Sequence, residues 1–166
     1  PVQLVEPPSH CSWRTHLARG EYEGLLEFWG PKEMHRQEVI WELAETEKSF
    51  VQSMCSLQKI FALPLKTPEG RWIDGVPCSV ARLFDWLEDI LQLHSKISNA
   101  LQRARNQQTQ DSHPSRVILH VADCVLRYVP RLEVHQPYLV RFESVTAMIE
   151  EMLHSEDSVF GQFVNM

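Results

Sequence analysis

The sequence predicts an all-α protein, an elongated helical bundle, and three observations carry that prediction. Apolar residues recur every three to four positions over most of the length, the spacing of one buried helix face. Only 6 glycines are spread through 166 residues. A composition of 43% hydrophobic and 23% charged residues suits one globular domain with a real core and is too small for two full ones.

Residues 1–20 read as a loose arm, with Pro7-Pro8, Ser9 and His10 ahead of Arg14, His16, Arg19 and Gly20. Residues 21–29, EYEGLLEFW, form a short aromatic and acidic helix that Gly30-Pro31 ends. The arm and this helix make up residues 1–31. From Lys32 a strongly helical pattern runs through Phe61 and is broken by Pro64. Residues 66–79, KTPEGRWIDGVPCS, connect it to a second long helix from about Val80 to Arg105. That helix places Leu83, Trp86, Leu87, Ile90, Leu91, His94, Ile97 and Leu101 on one face. Residues 106–115 read as a polar loop, and a third helix is expected over 116–129, closed or kinked by Pro130. A fourth, over about 137–153, turns Tyr138, Phe142, Val145, Ile149 and Met152 inward. Ser155, with Asp157 near it, is placed to cap a last short helix through Val164.

Composition also narrows the chemistry. A net charge of −6 without a concentrated Lys/Arg face argues against nucleic acid as a partner. No apolar run approaches the roughly 20 residues of a bilayer span, and there is no secretory signal. The cysteines at 11, 55, 78 and 124 form no C-x-x-C pair, so they read as the reduced thiols of a cytoplasmic protein. His10-Cys11 with His16 is the tightest ligand-like cluster, but no second pair accompanies it; neither a metal nor a cofactor is expected. The 8 histidines and the serines show no convergent nucleophile and base, which argues against a hydrolase. The chain begins at Pro1 rather than Met, so it reads as a piece of something longer.

The helix over 32–61 carries the informative residues. On a wheel, Val39, Leu43, Phe50, Met54, Leu57 and Phe61 fall within a stripe of roughly 60°, the expected core face. Glu38, Glu42 and Glu45 gather on one shoulder of it, with no Lys or Arg on that shoulder to offset them. Like charges at these spacings destabilise an isolated helix by about 0.2–0.5 kcal/mol each. The shoulder is either a solvated acidic edge or a set of carboxylates held out toward a partner. Glu47 lies inside the core stripe, where an acid needs a partner. Trp41 lies almost opposite the stripe near Met34, which suggests that something covers it. The nearest cover is the aromatic segment with Tyr22, Leu25, Leu26, Phe28 and Trp29, folded back along the helix.

Residues 38–65, EVIWELAETEKSFVQSMCSLQKIFALPL, resemble the first conserved region of Dbl-homology domains, the helical modules that exchange nucleotide on Rho-family GTPases. The matching positions are Val39-Ile40, Glu42-Leu43, Thr46-Glu47, Phe50-Val51, Leu57, Phe61 and Pro64-Leu65. Leu83-Phe84 through His94 and Leu101 is similar to the family's second helix. Residues 121–142 resemble its next stretch, with the family's Y-x-x-Y spacing here reduced to His135 and Tyr138, and residues 159–163 resemble the short segment after it. The likeness covers residues 32–166, while the Trp29-Gly30-Pro31 junction is similar to pleckstrin-homology-containing G-type members.

The resemblance implies an exchange factor that makes and breaks no bonds and has a Rho-family small GTPase as its partner. It implies that Glu42 contacts the first switch of the GTPase, with Glu38, Glu45 and Thr46 beside it, and that Glu47 is a structural buried acid. Trp41, Met34, Trp29 and Phe28 are expected to dock the arm. The family's third conserved region and the pleckstrin-homology domain are not found, so the chain reads as a truncated Dbl-homology domain, weak or inactive alone. Membrane contact would then come only through an absent domain, and the full-length protein would act in the cytoplasm, at the cytoskeleton or cell cortex. The other reading is a non-catalytic interaction module, autoinhibitory or scaffolding, on the same fold.

Overall fold

Glycine and proline punctuate the first long helix, α1, over Glu21–Leu57. Gly30 takes φ 78° and ψ 166°, a conformation that only glycine adopts freely, and Pro31 restarts the helix where its missing N–H costs nothing. The chain thus turns sharply between the aromatic segment and the rest of α1. Near its other end Pro64 cannot continue the hydrogen-bond ladder; the helix loosens into a π turn over Gln58–Ala62 and tightens into a 3-10 turn over Leu63–Leu65. After an antiparallel bridge between Lys66 and Trp72 come α2 (Cys78–Thr109), α3 (Val121–Leu126), a 3-10 stretch (Val129–Val134), α4 (His135–Leu153) and α5 (Val159–Asn165). A computed structural model describes residues 12–18, 20–109, 117–155 and 158–165, and no β-strand longer than that single bridge occurs among them. The protein is all-α, as its periodicity predicts.

Several boundaries depart from the sequence reading. The helix expected over 116–129 is only α3, because Val117 and Ile118 are buried in a non-helical segment ahead of it. Helix α2 runs on through Thr109 into the stretch read as polar loop, of which residues 110–115 lie outside the described residues. The cap of α5 is Ser158, whose Oγ accepts from the Gly161 N–H at 3.0 Å, rather than Ser155; Asp157 lies outside the described residues.

The chain divides within α1 and α2 into two units. Unit 1 takes the described parts of 1–49 and 97–127, and unit 2 those of 50–96 and 128–166. In unit 1 Trp13, Leu25, Met34 and Val117 form the buried cluster, with Leu17, Tyr22, Leu26, Trp29 and Trp41 packed on it. In unit 2 Leu65, Val80, Leu83, Val145 and Phe160 form the core. Helix α5 seats closely there: a Cβ on Gly161 would lie 2.1 Å from the Met152 carbonyl oxygen, so only glycine fits. His94 and His135 meet Nε2 to Nε2 at 3.0 Å, with the His94 ring on Phe50.

The expected core stripe of α1 is the main correction. Val39, Leu43 and Phe50 are 50%, 45% and 36% exposed, and Met54, Leu57 and Phe61 are half-buried. The face α1 buries is instead Met34, Gln37, Ile40 and Ala44. The wheel found an apolar stripe correctly but not its cover, because the arm and the Val117–Ile118 segment occupy the adjoining face.

Candidate functional site

The acidic shoulder lies in unit 1, and its carboxylates have unlike surroundings. The Glu38 carboxylate is taken up by the arm. Its Oε1 accepts from Ser12 Oγ at 2.9 Å and the Arg14 N–H at 3.1 Å, and its Oε2 accepts from the Trp13 N–H at 3.0 Å. The Trp13 and Arg14 N–H groups are orphan amides at the start of the 3-10 turn Trp13–His16, for which Ser12 is the N-cap. An acid at that position completes the cap from a different element. Ser12 and Trp13, in a stretch that reads as loose arm, are therefore its anchor, and Trp13 is 7% exposed. A serine followed by a tryptophan inside a polar tail was the available signal.

Glu45 binds Arg105 of α2, with Lys48 at 3.9 Å. The shoulder is thus not without cations: Lys48 reaches Glu45 from the same helix at i,i+3, and Arg105 is delivered by another helix, which periodicity within one helix could not reveal. The Arg105 hydrogen bond holds the Glu45 carboxyl below the usual carboxylate range, against the opposing effect of its burial. The same guanidinium lies 3.5 Å from the Trp41 ring centroid, and the His16 ring lies 4.3 Å from it. Trp41 is covered, as its outward position required, by the arm on one side and by Arg105 on another.

Glu42 is exposed and has no hydrogen bond or ion pair among the described residues. Thr46, one turn on, is also exposed. Glu47, expected to be a buried acid, is half-buried and is not without a partner.

The helix beneath these groups is fixed by buried polar contacts. Gln37, 3% exposed, accepts from the Ile118 N–H at 2.8 Å and donates to the Ile118 carbonyl at 3.0 Å, pairing as a strand would. Arg36 also donates to that carbonyl and is held by Glu33 at 2.7 Å, which lowers the Glu33 pKa through the hydrogen bond. Met34 is buried and Trp29 packs on the same cluster. Phe28 does not join them: it is 63% exposed and meets Trp29 edge-on, while Leu25 and Leu26 of the same helix pack into the cluster.

No group of three or more His, Cys, Asp or Glu suited to a metal ion occurs among the described residues, His10 and Cys11 of the ligand-like cluster lying outside them. Cys55, Cys78 and Cys124 are free thiols. No helix among the described residues is long and apolar enough to cross a membrane. The surface on offer is an exposed carboxylate on a braced helix, suited to accepting hydrogen bonds from another molecule.

Comparison with known proteins agrees with the resemblance seen in residues 38–65. The RhoGEF domain model matches residues 39–166. The chain is 26% identical over 152 residues to RHO1 GDP-GTP exchange protein 2 of Saccharomyces cerevisiae, an alignment covering 92% of this chain and 10% of that protein. It is 29% identical over 167 residues to Rho guanine nucleotide exchange factor 12 of Mus musculus, covering 96% and 10% respectively. It is 29% identical over 138 residues to Rho1 guanine nucleotide exchange factor 2 of Schizosaccharomyces pombe, covering 81% and 11%. The chain therefore spans about a tenth of the length of these relatives. No solved structure matches it. With a family model matched over most of its residues, the chain belongs to the RhoGEF domain family.

Proposed function

We propose that this chain is the GTPase-engaging part of a guanine nucleotide exchange factor for Rho-family small GTPases, acting in the cytoplasm within a longer protein. The observation that carries the proposal is Glu42, an exposed and unpartnered carboxylate inside the matched region. Glu42, with Thr46 beside it, contacts the first switch of the GTPase. Glu38 and Glu45 serve this surface indirectly, since their carboxylates are engaged by the arm and by Arg105. Glu47 keeps a structural role.

Exchange of this kind needs only differential binding. A factor that binds the nucleotide-free GTPase much more tightly than the loaded one draws the population toward release. Turning a 1:99 population into 99:1 takes a difference of about 10,000-fold. A fixed carboxylate contributes by accepting hydrogen bonds from switch amides and hydroxyls that otherwise serve the nucleotide and its magnesium.

The test is release of a fluorescent GDP analogue from a panel of Rho-family GTPases, driven by the longer protein carrying this chain. Glu42→Ala should reduce the acceleration at least about 100-fold and leave folding stability within about 0.5 kcal/mol. Unchanged exchange in that variant removes Glu42 from the mechanism. A folded wild-type protein that accelerates none of the GTPases leaves a non-catalytic interaction module in its place.

A further inference from the structure

Unit 2 carries a second surface, well separated in composition from the acidic shoulder. The first turns of α2 and the middle of α4 border an open groove of about 560 Å³. Ser79, Arg82 and Trp86 line it from α2, and Arg141 and Ser144 line it from α4. Residues 78, 82 and 86 repeat every fourth position, and 141 with 144 and 145 keep the same helical face, so the two helices present these side chains to one space. The closeness of the helices is set by the core packing of Val80, Leu83 and Val145 beneath.

The lining contains two guanidinium groups and no carboxylate. Neither the Arg82 nor the Arg141 side chain has a hydrogen bond or an ion pair among the described residues. Arg36 and Arg105, in contrast, are matched by Glu33 and Glu45. In a chain of net charge −6, two unmatched arginines converging on one cavity mark a place built for negative charge. The half-buried Trp86 and the buried Val145 give that place an apolar wall, and its volume falls in the range of about 300–1,000 Å³ typical of small-molecule sites.

We propose that this groove binds a compact ligand bearing two or more phosphate groups, with Arg82 and Arg141 each holding one. A guanidinium fork matches two phosphate oxygens at once, which a point charge does not. The Ser79 hydroxyl donates only to the Met148 thioether, at 3.3 Å; sulfur is a weak acceptor, so the hydroxyl turns toward a phosphate oxygen at little cost. The ligand is either a soluble phosphorylated molecule or the headgroup of a phosphorylated lipid, and the chemistry of recognition is the same for both.

Cys78, exposed and free at the rim of the cavity, supplies a local reporter. The experiment measures affinity for inorganic pyrophosphate, for inositol trisphosphate, and for phosphatidylcholine vesicles with and without phosphatidylinositol bisphosphate. Alongside, iodoacetamide labelling of each cysteine is followed by peptide mass spectrometry. Wild-type protein should bind a phosphate probe, with Cys78 labelling slowed and Cys55 and Cys124 labelling unchanged. R82Q/R141Q should weaken binding about tenfold or more, and R82K/R141K, which keeps the charge without the fork, should fall between. All these side chains are exposed, and circular dichroism verifies that both variants are folded. Binding to soluble probes assigns a soluble ligand, and binding confined to the phosphoinositide vesicles assigns a lipid headgroup. Absence of binding to every probe, equal affinity in R82Q/R141Q, or binding that leaves Cys78 labelling unchanged overturns the proposal. Exchange activity does not enter the measurement, so the outcome is independent of the role of Glu42.

Discussion

The buried residues that meet in unit 2 are apolar, while unit 1 combines an apolar cluster with directional bonds. Leu65, Val80, Leu83, Val145 and Phe160 hold unit 2 by removing surface from water, a force that fixes proximity more than orientation. Unit 1 has Trp13, Leu25, Met34 and Val117, and adds Glu38 on the arm amides, Gln37 on the Ile118 backbone and Arg105 between Glu45 and Trp41. Each of these bonds works at one register only. Unit 2 has directional bonds as well, His94 with His135 and Lys66 with Glu88, but the bonds that fix the part of α1 carrying Glu42 are those of unit 1. A carboxylate offered to a partner gains from a helix whose rotation is pinned, because a misplaced acceptor forms weaker hydrogen bonds.

The contrast can be broken first on its apolar side. Leu83→Ala removes a 6%-exposed side chain from the unit 2 core and should cost about 2–5 kcal/mol in urea unfolding. A loss below about 1 kcal/mol would mean that unit 2 is not held by that cluster. On the polar side, Gln37→Leu keeps the bulk but leaves the Ile118 N–H and carbonyl without their amide partner. It should cost about 1–3 kcal/mol, the penalty of an unsatisfied buried group. A neutral Gln37→Leu would show that apolar packing suffices in unit 1 as well. Glu38→Ala removes the cap from the Trp13–His16 turn and should cost about 1 kcal/mol. Its clearer signature is faster cleavage by trypsin at Arg14, with little change at the sites of unit 2; equal cleavage in wild type and variant would show that the arm stays docked without the cap.

The sequence carried the helix class and the punctuation at Gly30-Pro31 and Pro64, because those are local: periodicity and missing amides act within a few residues. It also placed Trp41 away from the apolar stripe, where the structure finds it half-buried beside His16 and Arg105. The choice among Glu38, Glu42 and Glu45 was not legible, since all three sit on one shoulder and differ only in what other elements bring to them. Ser12 and Trp13 come from 26 and 25 residues upstream of Glu38 and Arg105 from 60 residues downstream of Glu45, separations that no helical wheel spans. The exposed Val39, Leu43 and Phe50 stripe was misjudged for a related reason: a wheel gives the apolar side of a helix but not whether that side is covered.

The smallest effect sharpens the comparison most, since it isolates one directional contact. Glu45 has its pKa lowered below the ordinary 4.5, chiefly by the Arg105 hydrogen bond. The folded state therefore holds the proton less readily than the unfolded chain does. The resulting stabilisation is complete above the ordinary carboxylate value, shrinks as pH falls below it, and is gone once the pH is below the folded-state value. Glu45→Gln abolishes this titration. Wild type should be the more stable of the two at about pH 7, and the gap should narrow as pH falls below the ordinary carboxylate value of 4.5. Glu33 titrates in the same direction through Arg36, so the difference between the two proteins, rather than either curve alone, reports Glu45. The guanidinium also stacks on Trp41, which links this carboxylate to the arm: as Glu45 is protonated, Arg105 loses the bond that holds it over the ring. Hydrogen exchange at the Trp13 and Arg14 amides, compared between wild type and Glu45→Gln at each pH, should quicken in wild type over the same pH interval and show no such step in the variant. A stability gap constant from about pH 7 to 3 would show that the Glu45–Arg105 pair contributes nothing beyond its geometry, and that the arm is held by Glu38 and the apolar cluster alone.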